Sequence, residues 1–129
     1  QCDLSKDQPF GNLNNIANTV RDSINKKLLK AHHSFGVKNT NTKYEDEAMQ
    51  LSLTYFAVTN NKPAFAIETS KNLSSLTQKV FYQLLAIEEY MKIMGITFIR
   101  KFNLTEKEIA KIIKKYGTLG INSNIFKYK

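Results

Sequence analysis

The chain has 129 residues, 42% hydrophobic and 11% aromatic, enough for one core that buries about two-thirds of the unfolded surface. Its longest strictly apolar runs are about four residues, such as 84–87, whereas a membrane-spanning helix needs roughly 18, so no transmembrane helix is expected. A formal charge of +8, from 19 basic and 11 acidic residues, predicts attraction to polyanions. Arg21 and Arg100 are the only arginines, however, and dispersed lysines lack the fork geometry that reads bases and phosphates, which argues against a specific nucleic-acid reader.

Residues 1–12 contain no basic stretch followed by an apolar one, so no signal peptide is expected, and the chain reads as a piece of a longer protein. The single cysteine, Cys2, excludes an internal disulfide framework and a multi-cysteine zinc site. In residues 12–31, Leu13, Ile16, Ala17, Val20, Ile24 and Leu28 recur at helical spacing and predict an amphipathic helix. Residues 32–42, with His32 and His33 at their start, mix Ser, Gly, Asn and Thr and read as a loop. Glu45, Asp46 and Glu47 then supply the acids that a helix N-terminus favours. A helix is expected over residues 48–58, although the alternation Met49, Leu51, Leu53, Tyr55 also fits a strand.

Asn60 to Pro63 form a turn, after which residues 64–69 (AFAIET) have the length and composition of a buried strand ending in a carboxylate. Strand alternation puts Ala64, Ala66 and Glu68 on one face and Phe65 and Ile67 on the other. Residues 73–94 predict the longest helix, with Leu76, Val80, Phe81, Leu84, Ile87, Met91 and Met94 as its buried stripe and Gly95 as a left-handed stop. With residues 96–102 as a second extended run, the order is β-α-β and the expected class is α/β, a mixed sheet flanked by helices. Thr105 and Glu108 form a capping box for a further helix with the stripe Ile109, Ile112, Ile113, Tyr116, closed by Gly117. Weak alternation over residues 118–129 suits the first strands of a β module.

Residues 38–105, with PAFAIETSK at 63–71 as the most specific block, resemble the closing part of the catalytic domain of the peptidoglycan D,L-carboxypeptidases that set cell shape in curved and helical bacteria, a branch of the zinc metallocarboxypeptidases. Residues 11–43 fit more loosely. The resemblance implies the second half of a zinc-carboxypeptidase-type sheet over residues 1–103, and a linking helix and the start of a following β domain over 104–129. It also implies a periplasmic enzyme that trims muropeptide tripeptides to dipeptides, releasing meso-diaminopimelate.

In that family a strand-end glutamate, preceded at minus two by a small or hydroxylated residue, is the catalytic carboxylate. The matching residue is Glu68. A single positioned carboxylate can take a proton from the attacking water and return it to the departing amine. The pocket for the released residue is lined by the residue two before the glutamate and one about fourteen before it, which match Ala66 and Thr54. A polar Thr54 suits the zwitterionic end of diaminopimelate; a helical threonine bonding its own backbone is the structural alternative.

The resemblance implies zinc, yet no H-x-x-E or Q-x-x-E pair followed by a suitable histidine occurs, so the ligands are expected upstream of this segment. His32 and His33 stand too near Glu68 in sequence for the family's third ligand and read as loop histidines. The competing functional reading is a non-catalytic basic module that binds cell-wall polymer or nucleic acid.

Overall fold

Helix α1, Leu13–Asn25, opens where Asn12, in an extended conformation, accepts the Asn15 N–H on its side-chain oxygen at 3.0 Å and so satisfies a backbone donor that has no partner in the helix. The computed structural model describes residues 11–39, 47–121 and 124–127; Cys2 and the acids Glu45 and Asp46 lie outside the described residues. The chain divides into two units, residues 1–67 and 68–129.

In the first unit, α1 buries Leu13, Ala17, Val20 and Ile24, four of the six residues that the periodicity assigned to its inner face. It ends six residues earlier than the apolar spacing predicts, because the Asn25 amide is engaged elsewhere. Its oxygen accepts the Phe35 N–H at 2.9 Å and its nitrogen donates to the Phe35 carbonyl at 3.1 Å. This clasp ties residue 25 to residue 35, an attachment made through a side chain that competes readily with helical backbone bonding.

The helix expected over residues 48–58 is two, α2 at Glu47–Gln50 and α3 at Leu53–Thr59. Ser52 divides them: its hydroxyl donates to the Met49 carbonyl at 2.7 Å and accepts the Tyr55 N–H at 3.1 Å, ending one helix and capping the next. Val58 is buried, whereas Leu51 and Leu53 on either side of the break are 91% and 87% exposed. A turn follows in which Asn61 has φ +55°, a left-handed conformation that asparagine tolerates, and the Lys62 N–H reaches the Ala57 carbonyl at 2.8 Å.

The second unit is built on α4, Leu76–Ile93, capped by Ser75 through the Gln78 N–H at 3.3 Å. At its far end the Gly95 N–H bonds to the Lys92 carbonyl at 3.1 Å and the Ile96 N–H to the Met91 carbonyl at 2.8 Å, the paired bonds of a Schellman stop. Gly95 has φ +70°, which only glycine adopts without strain, as the sequence predicts. Helix α5, Glu106–Tyr116, capped by Thr105, packs against α4 and buries Ile109. Strands β1, Thr118–Ile121, and β2, Asn124–Lys127, pair antiparallel with Thr118 opposite Lys127.

Two expectations are corrected. The mixed sheet of an α/β fold is not found: residues 64–69 and 96–102 form no ladder with any described residue, and the sheet among the described residues is the β1–β2 pair alone. Apolar alternation makes a segment compatible with a strand, but a strand exists only through bonds to a neighbour, and periodicity carries no information about that neighbour. The described residues are mainly helical. Helix α4 buries Phe81, Tyr82, Leu85, Ala86, Glu88 and Glu89 most deeply; of the stripe read from the sequence Phe81 is buried, Leu76, Val80, Leu84 and Met91 are half-buried, and Ile87 and Met94 are exposed.

Candidate functional site

The segment that carries the candidate carboxylate starts at Pro63, which lacks an N–H and fixes its own backbone, just after the Asn61 turn. It ends where Ser70 makes the next turn, accepting the Asn72 N–H on its hydroxyl at 3.2 Å and the Leu73 N–H on its carbonyl at 3.1 Å. Short bonded turns on both sides therefore define the segment 64–69. From Phe65 onward the exposure alternates, Phe65 and Ile67 half-buried and Ala66 and Glu68 exposed, whereas Ala64, expected on the Glu68 face, is half-buried too.

Thr54 is the second residue of α3, directly after the Ser52 cap, and is half-buried. Thr54 and Ala66 belong to the first unit, and Glu68 is the first residue of the second. His32 and His33 lie in the stretch after α1 with their rings edge to face at 4.5 Å; His32 is exposed and His33 half-buried. Among the described residues no group of three or more His, Cys, Asp or Glu could hold a metal ion. The donors that the described residues present therefore do not make a zinc site. Among the same residues no helix is long and apolar enough to cross a membrane.

Sequence reasoning missed the most strongly organised charged pair of the second unit. Glu88 on α4 accepts a two-pronged hydrogen bond from Arg100: Nε donates to Oε1 at 2.6 Å and Nη2 donates to Oε2. The hydrogen bond to Glu88, together with that residue's charge, holds the Arg100 guanidinium above its ordinary value against the opposing effect of burial. Glu89 beside it accepts from Lys92 at 2.8 Å. The available signal was the pair of adjacent glutamates inside the apolar run LLAIEEYM, since charges in such a run are buried only with partners.

Residues 1–114 match the family described as the catalytic domain of the carboxypeptidase controlling helical cell shape. The chain is also similar to solved structures of the cell shape determinant Csd4 from Helicobacter pylori. These include its tripeptide-bound form, its apo form and its mDAP-bound form, the last described as a D,L-carboxypeptidase. Each is 38% identical, superposes with a TM-score of 0.75, and is matched over 88% of this chain and 27% of its own. The chain thus spans about a quarter of the length of these relatives. A comparison with curated proteins found no match.

Proposed function

The chain belongs to the catalytic-domain family of the carboxypeptidases that control helical cell shape, and we propose that it contributes the proton-transfer carboxylate, Glu68, to a peptidoglycan D,L-carboxypeptidase. The observation that carries this reading is the exposed carboxylate at the end of the PAFAIE segment, held between two bonded turns, in a chain 38% identical to a structure described as a D,L-carboxypeptidase. Glu68 takes the proton of the water that attacks the scissile carbonyl and delivers it to the departing amine nitrogen, two transfers that one solvent-accessible carboxylate performs in sequence. The metallocarboxypeptidase type implies a metal; we assign it as zinc, and residues other than those described would hold it.

On this reading residues 1–103 are the C-terminal part of the catalytic domain, and residues 104–129 link it to a following β domain. We further propose a periplasmic location, since the proposed substrate derives from the cell wall. The substrate is a muropeptide tripeptide, consistent with the tripeptide and mDAP ligands of the relatives, and the product is a dipeptide. The test is incubation of the intact protein with a purified tripeptide muropeptide. Dipeptide and free diaminopimelate should form, stop on chelation and resume on zinc addition. Persistence of the tripeptide under zinc-replete conditions contradicts the proposal.

Thr54 and Ala66 are assigned to the pocket for the released residue. Thr54→Val keeps the branched shape and removes the hydroxyl, so its expected effect is a rise in KM of about 5- to 30-fold, the cost of one lost polar contact, with kcat within a few-fold of the parent. An equal fall in kcat and kcat/KM would instead place the hydroxyl at the reacting centre.

A further inference from the structure

Helix α4 is apolar on two sides. One side carries Phe81, Tyr82, Leu85 and Ala86, all buried, and the other carries Leu76, Val80, Leu84 and Met91, half-buried, with Ile87 exposed; the two centres lie roughly 170° apart at about 100° per residue. Hydrophobic burial is non-directional and scales with area, so it does not by itself choose between two such faces. If anything it disfavours the one observed, because that rotation takes Glu88 and Glu89 out of water while leaving Ile87 44% exposed. Some other interaction decides the rotation.

We propose that the Glu88–Arg100 ion pair is the device that selects which apolar face of α4 turns into the core, a role in specificity distinct from any net contribution to stability. Glu88 is 8% exposed, a position at which an unpaired carboxylate is costly, and the two-pronged bond from Arg100 satisfies both of its oxygens. The fork fixes direction as well as distance, because Nε and Nη2 reach both oxygens together only when the helix presents position 88 to the returning chain. That return is itself constrained: Arg100 lies five residues beyond Gly95, whose left-handed backbone reverses the chain after α4. Rotating α4 to bury Leu84 and Ile87 instead would carry Glu88 away from Arg100 and break both bonds, while most of the apolar area would be regained on the other side. The penalty for the wrong face is thus electrostatic, and it is paid only if the pair exists.

Thiol labelling tests the proposal. In a Cys2→Ser background, Leu85→Cys reports the inward face and Ile87→Cys the outward one. With the ion pair present, Ile87→Cys should label at least ~100-fold faster than Leu85→Cys. With Glu88→Leu and Arg100→Met together, the two rates should converge to within a few-fold while the helical signal and a cooperative melt are retained. Retention of the ~100-fold difference overturns the proposal, because packing alone would then set the face. If that variant does not melt cooperatively, Glu88→Met with Arg100→Leu, a different division of the same volume, repeats the measurement. Failure of both to fold overturns the proposal too, because the pair would then be supplying stability and not selection.

Discussion

Arg100→Gln should lower the stability of the chain by about 2–3 kcal/mol, seen as a fall of roughly 8–12 °C in melting temperature. The substitution leaves the Glu88 carboxylate inside with no cation, so the loss measures an uncompensated buried charge and not the value of the bond itself. Removing one partner of a fully buried pair costs about 3–5 kcal/mol. The lower figure is expected here because the Arg100 side chain is 30% exposed, which leaves water a route to the stranded carboxylate. Replacing both partners with apolar residues removes the charge that would be stranded, and that double variant should lie within about 1 kcal/mol of the parent. Urea titrations of the parent, the single and the double variant check the three values. A single variant as stable as the parent would mean that the pair is solvated and structurally idle.

The same pair shows where sequence patterning runs out. Caps and stops were legible because each is encoded within a few residues: Thr105 accepts the Glu108 N–H at 3.3 Å, and Gly95 supplies the left-handed stop that the apolar spacing had placed at the end of the long helix. The inner face of α1 was legible because one side of it alone is apolar. On α4 the apolar residues run around the helix, so the single stripe read from the spacing does not coincide with the most deeply buried side, and the choice rests on a contact with a residue twelve positions away. The early end of α1 has the same origin, since the Asn25 clasp reaches ten residues ahead. The split between α2 and α3 turned on a single hydroxyl: serine in a run of good helix-compatible residues becomes a cap when its oxygen finds both the Met49 carbonyl and the Tyr55 N–H.

The extended segments failed for a different reason. Residues 65–69 keep the alternation of a strand, with Phe65 and Ile67 less exposed than Ala66 and Glu68, yet they pair with no described residue. The sequence encodes which side of such a segment is apolar and leaves its hydrogen-bonding neighbour unspecified. Glu68 itself was not visible in composition or spacing, since an isolated glutamate before a turn is ordinarily a solvated one. It was singled out by the resemblance of the PAFAIETSK block; the family match over residues 1–114 establishes the family and assigns no role to an individual residue. The structure adds that its carboxylate is accessible and its backbone is bracketed by bonded turns.

Glu68→Gln keeps the size and the hydrogen-bonding oxygen of the side chain and removes its capacity to accept a proton. Loss of a positioned acid-base group lowers turnover by ~10² to 10⁴, about 3 to 5 kcal/mol of transition-state stabilisation. Because the side chain is exposed, the substitution should leave the fold untouched, with a melting temperature within about 2 °C of the parent. A structural glutamate would behave in the opposite way, with stability falling and residual activity following the folded fraction. The deciding measurement is kcat of the intact Glu68→Gln protein on a tripeptide muropeptide, with melting temperature and bound metal determined on the same sample. A folded, metal-loaded variant whose kcat has fallen at least ~10²-fold with little change in KM is the result expected of a proton-transfer carboxylate. A folded, metal-loaded variant within a few-fold of the parent would contradict the assignment of Glu68.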